Sequence, residues 1–264
     1  MSPHLFRKRP FAVGLFAIAV PAAVVIAAAV PGGSALASGA RNEFHQTNLI
    51  SDLSTQGAQV VDKNLQNSWG LAFGPTSPLW VADNNSGVAT LYSITPGGTT
   101  ASKVNLTVTL PGGRASTGDG SSPTGQVFNP TSGFVVTTKA GSGPGLFIFS
   151  AEAGTSNGFL IERLVSHVDL NSPWGLAEAP AGFGPFGGDL LVGNFGNGRI
   201  HAFGLFSGVP RGALLNEKHQ PIRIDDLWAL KFGTATTGGT GTLLFSAGIN
   251  DEKDGLVGSI NPVP

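Results

Sequence analysis

Short oxygen-bearing side chains recur at matched places along this sequence: Asn67, Asp83, Asn84, Asn171, Asn194, Asp226, Asn250 and Asp251. Their amide and carboxylate oxygens can accept hydrogen bonds from a polar ligand or hold a hard cation such as Ca²⁺. The same residue types also suit tight turns, because they tolerate positive φ and bond to their own backbone. Whether they form a site depends on whether the fold gathers them. The sequence carries no H-E-x-x-H, G-x-S-x-G, Walker A or EF-hand pattern. The acidic run Asn250–Asp254 lacks the alternating ligands of a calcium loop and reads as a solvated turn. His45, His167, His201 and His219 fall in different parts of the chain with no metal-ligand spacing. Catalytic residues are therefore not named, and the sequence leans away from an enzyme.

The elements that must position these residues are repeated. Asn67-Ser-Trp-Gly-Leu-Ala-Phe-Gly74 matches Asn171-Ser-Pro-Trp-Gly-Leu-Ala177 and Asp226-Leu-Trp-Ala-Leu-Lys-Phe-Gly233, with a weaker copy at Pro123–Phe128. Each copy is followed by a second apolar run: Leu79–Asp83, Gly133–Thr137, Asp189–Asn194 and Thr242–Ala247. A Gly/Asn/Asp-rich turn and a third run then follow. With Gly70, Gly125, Gly175 and Ala229 as equivalents, the period is roughly 50–55 residues. Val104, Leu106, Val108 and Leu110 alternate as a fourth, half-buried strand should. Short antiparallel strands repeated in this way predict an all-β propeller with about four recognisable blades. The units lie near 67–110, 122–165, 171–216 and 225–260, and a strand at 44–52 is expected to close the last one. In such a fold the turns before each first strand and after each second strand share one mouth, which would bring the oxygen-bearing residues together. Trp69, Trp174 and Trp228, in the repeated strand, are expected to pack between neighbouring units, with carbohydrate stacking as the alternative.

The remaining features bound the setting. Arg7, Lys8 and Arg9 precede an uncharged apolar stretch, and Ala35-Leu36-Ala37 follows it. This is the pattern of an export signal over 1–37, leaving the β domain at 38–264. The expected location is secreted or extracytoplasmic, with membrane contact only through an uncleaved signal. The sequence has no Cys and hence no disulfide or thiolate chemistry. A net charge of −1, with 12% charged residues and no basic run, argues against a nucleic-acid partner. Gly 39 and Pro 18 fit many tight turns.

Trp-Gly-Leu-Ala, then Leu-Trp-Val-Ala-Asp, then Gly-x-x-x-Leu-Tyr resembles NHL-type propeller repeats. The stretches Arg163–Ala177, Gly188–Gly198 and Asp226–Leu230 resemble a bacterial family of exported β-propellers, some from bacteria with PEP-CTERM sorting. The resemblance implies a signal peptide and a six-bladed propeller, and it implies no catalytic residues. The chain departs from it by ending at Pro264 without a sorting tail, and by an apparent loss of about two blades between Ala151 and Gly158. The four remaining repeats could close as a four-bladed ring, form an open or incomplete arc, or assemble with another chain.

The function expected is an exported binding or interaction protein that uses its polar-turn face for a small polar ligand, a glycan or a protein, with no cofactor. A Ca²⁺-dependent lactonase- or esterase-like hydrolase is one alternative, with the ion polarising a carbonyl. A structural role at the cell surface or in a matrix is the other.

Overall fold

The computed structural model describes residues 40–110, 122–129, 133–138, 164–165 and 169–264. The export-like segment and the Ala151–Gly158 junction lie outside them. Among the described residues no helix is long and apolar enough to cross a membrane.

The described chain is mostly β-sheet. A first strand, β1 (Phe44–Ser51), is followed by the short β2 (Val60–Val61). Then come β3 (Ser68–Ala72), β4 (Leu79–Asp83), β5 (Val88–Ile94) and β6 (Ala101–Thr109), paired in that order as a four-stranded sheet. The pair β7 (Pro123–Asn129) and β8 (Gly133–Thr138) forms a second sheet. A third, four-stranded sheet is built from β9 (Pro173–Glu178), β10 (Asp189–Asn194), β11 (Ile200–Gly204) and β12 (Pro210–Ala213). The last sheet takes β13 (Leu227–Phe232), β14 (Leu243–Ala247) and β15 (Leu256–Pro262), then continues into β1 and β2. β1 pairs antiparallel with β15, from Phe44 opposite Pro262 to Ser51 opposite Leu256. Only the β1–β2 pairing among those described is parallel.

Burial explains why the last sheet is apolar on both faces. Leu243, Phe245 and Ala247 of β14 join Leu191, Ile200, Ala202 and Phe183 in one core, on the side of the β9–β12 sheet. Leu244, between them in sequence, joins Leu71, Leu79, Val81 and Tyr92 in a second core, on the side of the β3–β6 sheet. Alternation along a strand sends successive side chains to opposite faces, so a sheet covered on both sides needs an unbroken apolar run. Each such fully buried aliphatic or aromatic side chain is worth about 1.5–3 kcal/mol. The outermost strand behaves differently: Val104 and Val108 of β6 are half-buried while Leu106 is exposed.

Among the described sheets the first strands lie close together, β9 against β13, β13 against β3 and β3 against β7. Residues of β3, β7, β9 and β13 together line a cleft of about 240 Å³. The Trp-Gly-Leu-Ala repeat has a steric reason there. A Cβ added at Gly70 would stand 2.8 Å from the Thr124 carbonyl of β7, and one at Gly175 would stand 2.8 Å from the Trp228 carbonyl of β13. Backbone passes too close to these positions for any larger residue.

Candidate functional site

The repeat places one residue at positive φ before three of the first strands, β3, β9 and β13. Asn67 has φ 49°, Ser172 49° and Asp226 50°. Their carbonyls accept equivalent bonds: Asn84 N–H to Asn67 at 3.1 Å, Phe195 N–H to Ser172 at 2.9 Å and Gly248 N–H to Asp226 at 3.0 Å. Ser172 is thus the counterpart of Asn67, and Asn171 stands one place earlier. The inserted Pro173 causes the offset: it takes the place opposite Asn194 that Ser68 takes opposite Asp83. Asn171 is exposed, and its N–H donates to Asn194 Oδ1 at 3.1 Å.

Three of the residues singled out by sequence hold turns together. Asp83 is fully buried and accepts from Ser68 Oγ at 3.2 Å and Thr90 Oγ1 at 2.6 Å. Burial pushes its carboxyl well above the usual value, and the two hydroxyls offset this only in part. Asn194, at the matching position, is equally buried and donates to the Asp169 carbonyl at 2.8 Å. Asn84 Nδ2 donates to the Pro123 carbonyl at 3.0 Å, tying the first sheet to the second.

Asp226, Asn250 and Asp251 do come together. With Phe195, Gly196, Asn197, Gly198, Arg223 and Asp225 they line an open cleft of about 470 Å³. Its walls are the turn after β10, the segment entering β13 and the turn after β14, where Asn250, Asp251 and Glu252 all take positive φ. Arg223 Nε donates to the Asn197 carbonyl at 3.2 Å, fixing two of the walls to each other. Burial raises the Asp226 carboxyl above its usual range, and the carboxylates of Glu252, Asp225 and Asp251 raise it further, against a lowering by the Glu252 N–H. Asn67 supports the cleft from behind. It is buried, accepts from Trp228 Nε1 at 3.0 Å and donates to Glu252 Oε2 at 3.3 Å.

The tryptophans meet across neighbouring sheets, Trp69 from β3, Trp174 from β9 and Trp228 from β13, and they do so by packing on one another. Trp69 and Trp228 stack with ring centroids 4.0 Å apart, and Trp174 meets them edge-on at 5.5 and 4.8 Å. Each is the second residue of its first strand, so converging strands bring all three to one level. Phe195 continues the group at 4.4 Å from Trp228 and reaches the acidic cleft.

Phe195, Arg223 and Asp225 were not singled out by sequence. The available signals were an aromatic where the first repeat has Asn84, and the charged run Arg223-Ile-Asp-Asp226 directly before a repeated strand. His167 lies outside the described residues, and His45, His201 and His219 do not line this cleft. Burial lowers His201, with Asp169 at 3.6 Å partly compensating, and His45 and His219 pair with Glu217 and Glu43. Among the described residues no three His, Asp or Glu side chains stand close enough together to hold a metal ion.

No family model matches the chain. Two uncharacterized proteins of Acanthamoeba polyphaga mimivirus are similar to it, 39% and 38% identical over 106 residues, 39% of this chain and 25% and 27% of theirs. A third from the same virus is 45% identical over 49 residues. The chain thus spans about a quarter of the length of the curated relatives it matches. These relatives are viral, so the expected bacterial source gains no support from them. A streptogramin B lyase structure aligns with 86% of this chain and 61% of its own, at 12% identity and a TM-score of 0.23, too low to bear on fold or activity.

Proposed function

We propose that the chain is an exported β-propeller binding protein, its four sheets acting as blades about the cleft that β3, β7, β9 and β13 line. Its ligand is a polar molecule bearing a positive charge, held in the acidic cleft. Export is supported by the basic, apolar and Ala-x-Ala order of the first 37 residues. The propeller is supported by the repeat and by the face-to-face packing of sheets around two cores.

The observation that carries the ligand class is the crowding of carboxylates. Asp225, Asp226 and Asp251 arrive from two separate segments around one opening; burial first, and then the neighbouring carboxylates of Glu252, Asp225 and Asp251, push the Asp226 carboxyl above its usual range. A cation entering the cleft relieves the repulsion among these carboxylates and keeps Asp226 ionised. Arg223 is tethered to Asn197 and is the cleft's single basic lining residue. Phe195 adds an aromatic edge beside the charges, a combination suited to organic ammonium groups.

Titration calorimetry of the full chain with putrescine and spermidine at low ionic strength tests this. Binding is expected to tighten as pH rises through the raised Asp226 value, because only the ionised form attracts the amine. Asp226→Asn and Asp251→Asn should each weaken it about tenfold, corresponding to about 1.4 kcal/mol. Absence of saturable heat with either amine, or binding unchanged in both variants, rules the reading out.

A further inference from the structure

The axial cleft has a chemistry of its own that the acidic cleft does not use. It is lined by Trp69 and Gly70 of β3, Gln126 of β7, Trp174 and Leu176 of β9, and Leu230 of β13, among others. None of its described lining residues carries a charge. Its apolar surface is open: Trp174 is 55% and Leu176 61% exposed. Trp174 stands edge-on to the stacked Trp69–Trp228 pair.

Two polar atoms of this lining are unpaired. Trp228 gives its indole N–H to Asn67, but Trp69 Nε1 is buried with no acceptor. Gln126 gives Nε2 to the Gly70 carbonyl at 3.1 Å, and its Oε1 is buried with no donor. Buried polar atoms without partners are rare in folded chains, and each calls for an explanation. Here one is an orphan donor and the other an orphan acceptor, in residues of one cleft.

We infer that the axial cleft is a carbohydrate subsite that takes a single pyranose ring. A pyranose has an apolar C–H face to lie against the Trp174 indole. A sugar hydroxyl both donates and accepts, so hydroxyls of one ring can accept from Trp69 Nε1 and donate to Gln126 Oε1. Neither orphan atom reaches bulk solvent, so binding requires both the Trp69 indole and the Gln126 amide to shift until they face the cleft. A lipid tail would leave both orphans unpaired, and a phosphate would find no cation in the described lining. The cleft volume of about 240 Å³ suits one ring rather than an extended chain. This subsite stands independently of the acidic cleft.

The test is a titration of the full chain with methyl glycosides of glucose, galactose, mannose and N-acetylglucosamine, followed by indole fluorescence and near-ultraviolet circular dichroism. At least one glycoside should give a saturable change. Trp174→Ala and Gln126→Met should each weaken it tenfold or more, and Asp226→Asn should leave it unchanged. Trp174 is largely exposed, so its variant is expected to keep the parent's melting temperature; where it does not, Gln126→Met carries the test. No spectral change with any of the four sugars overturns the inference. So does affinity that survives both variants, or a high-resolution structure in which one internal water bridges Trp69 Nε1 and Gln126 Oε1 in protein that binds none of the sugars.

Discussion

Asp83 shows what the repeated polar residues do at the scale of a single side chain. Its carboxyl is enclosed, with Ser68 and Thr90 as hydroxyl donors and Asp62 as a repelling neighbour. Asp62 is held the other way: burial raises it, but Lys103 at 2.8 Å and the Tyr92 hydroxyl at 2.7 Å outweigh that and keep it low. A carboxyl with a raised folded pKa binds its proton more tightly in the fold than in the unfolded chain. The stability it contributes is complete below its unfolded value of 3.8 and is lost as pH climbs through the raised value. Asp83→Asn keeps the shape and does not titrate. The melting temperature of the variant minus that of the parent should therefore grow from pH 4 to pH 8. A difference that stays flat across that range would mean that folding does not raise the Asp83 pKa.

At the scale of the element, the repeat is a record of strand crowding. Gly70 and Gly175 sit where a neighbouring first strand passes within contact of the missing Cβ, and the obstacle is backbone in both cases. Gly70→Ala and Gly175→Ala should each cost about 1–3 kcal/mol, the usual range for overpacking a close-packed site, measured by urea denaturation. The third full copy has Ala229 at the matching place, so a methyl is already accommodated there. Ala229→Gly should cost no more than about 1 kcal/mol, the backbone-entropy difference. Equal losses at all three positions would refute the crowding argument. The strands were legible because apolar runs of five to seven residues end at Asn, Asp and Gly. The side chains facing the acidic cleft were less so, because three loops from two sheets build it and no local pattern records their approach.

At the scale of the whole molecule, β1 joins the two ends of the described fold. Phe44 packs with Phe183 and Phe186 in one core, at ring centroids of 5.0 and 6.0 Å, while Leu49 and Ile50 fill the other. Its backbone pairs along the length of β15. A chain starting at residue 53 would lose all three anchors and leave β15 as an open edge, which invites association. Such a chain should show no cooperative thermal transition and should bind a hydrophobic dye. A synthetic peptide of residues 44–52 added in trans should restore the transition. Cooperative unfolding of the truncated chain by itself would show that β1 is dispensable.

Short-range information sufficed for the strands, their polar turns and the Trp-Gly repeat, because each is written in neighbouring residues whose period or turn chemistry permits little else. Tertiary structure alone decided which oxygen-bearing residues serve the fold and which face a cleft. Asp83 and Asn194 turned inward because each closes its own hairpin, whereas Asp226 and Asp251 met because the paired strands β13 and β14 end side by side in one sheet, and the turn after β10 of another sheet closes the cleft over them. It also drew Trp69, Trp174 and Trp228 into one cluster. Residues far apart in sequence become neighbours only once the sheets have packed, and packing answers to the sum of apolar burial and backbone clearance across the whole chain.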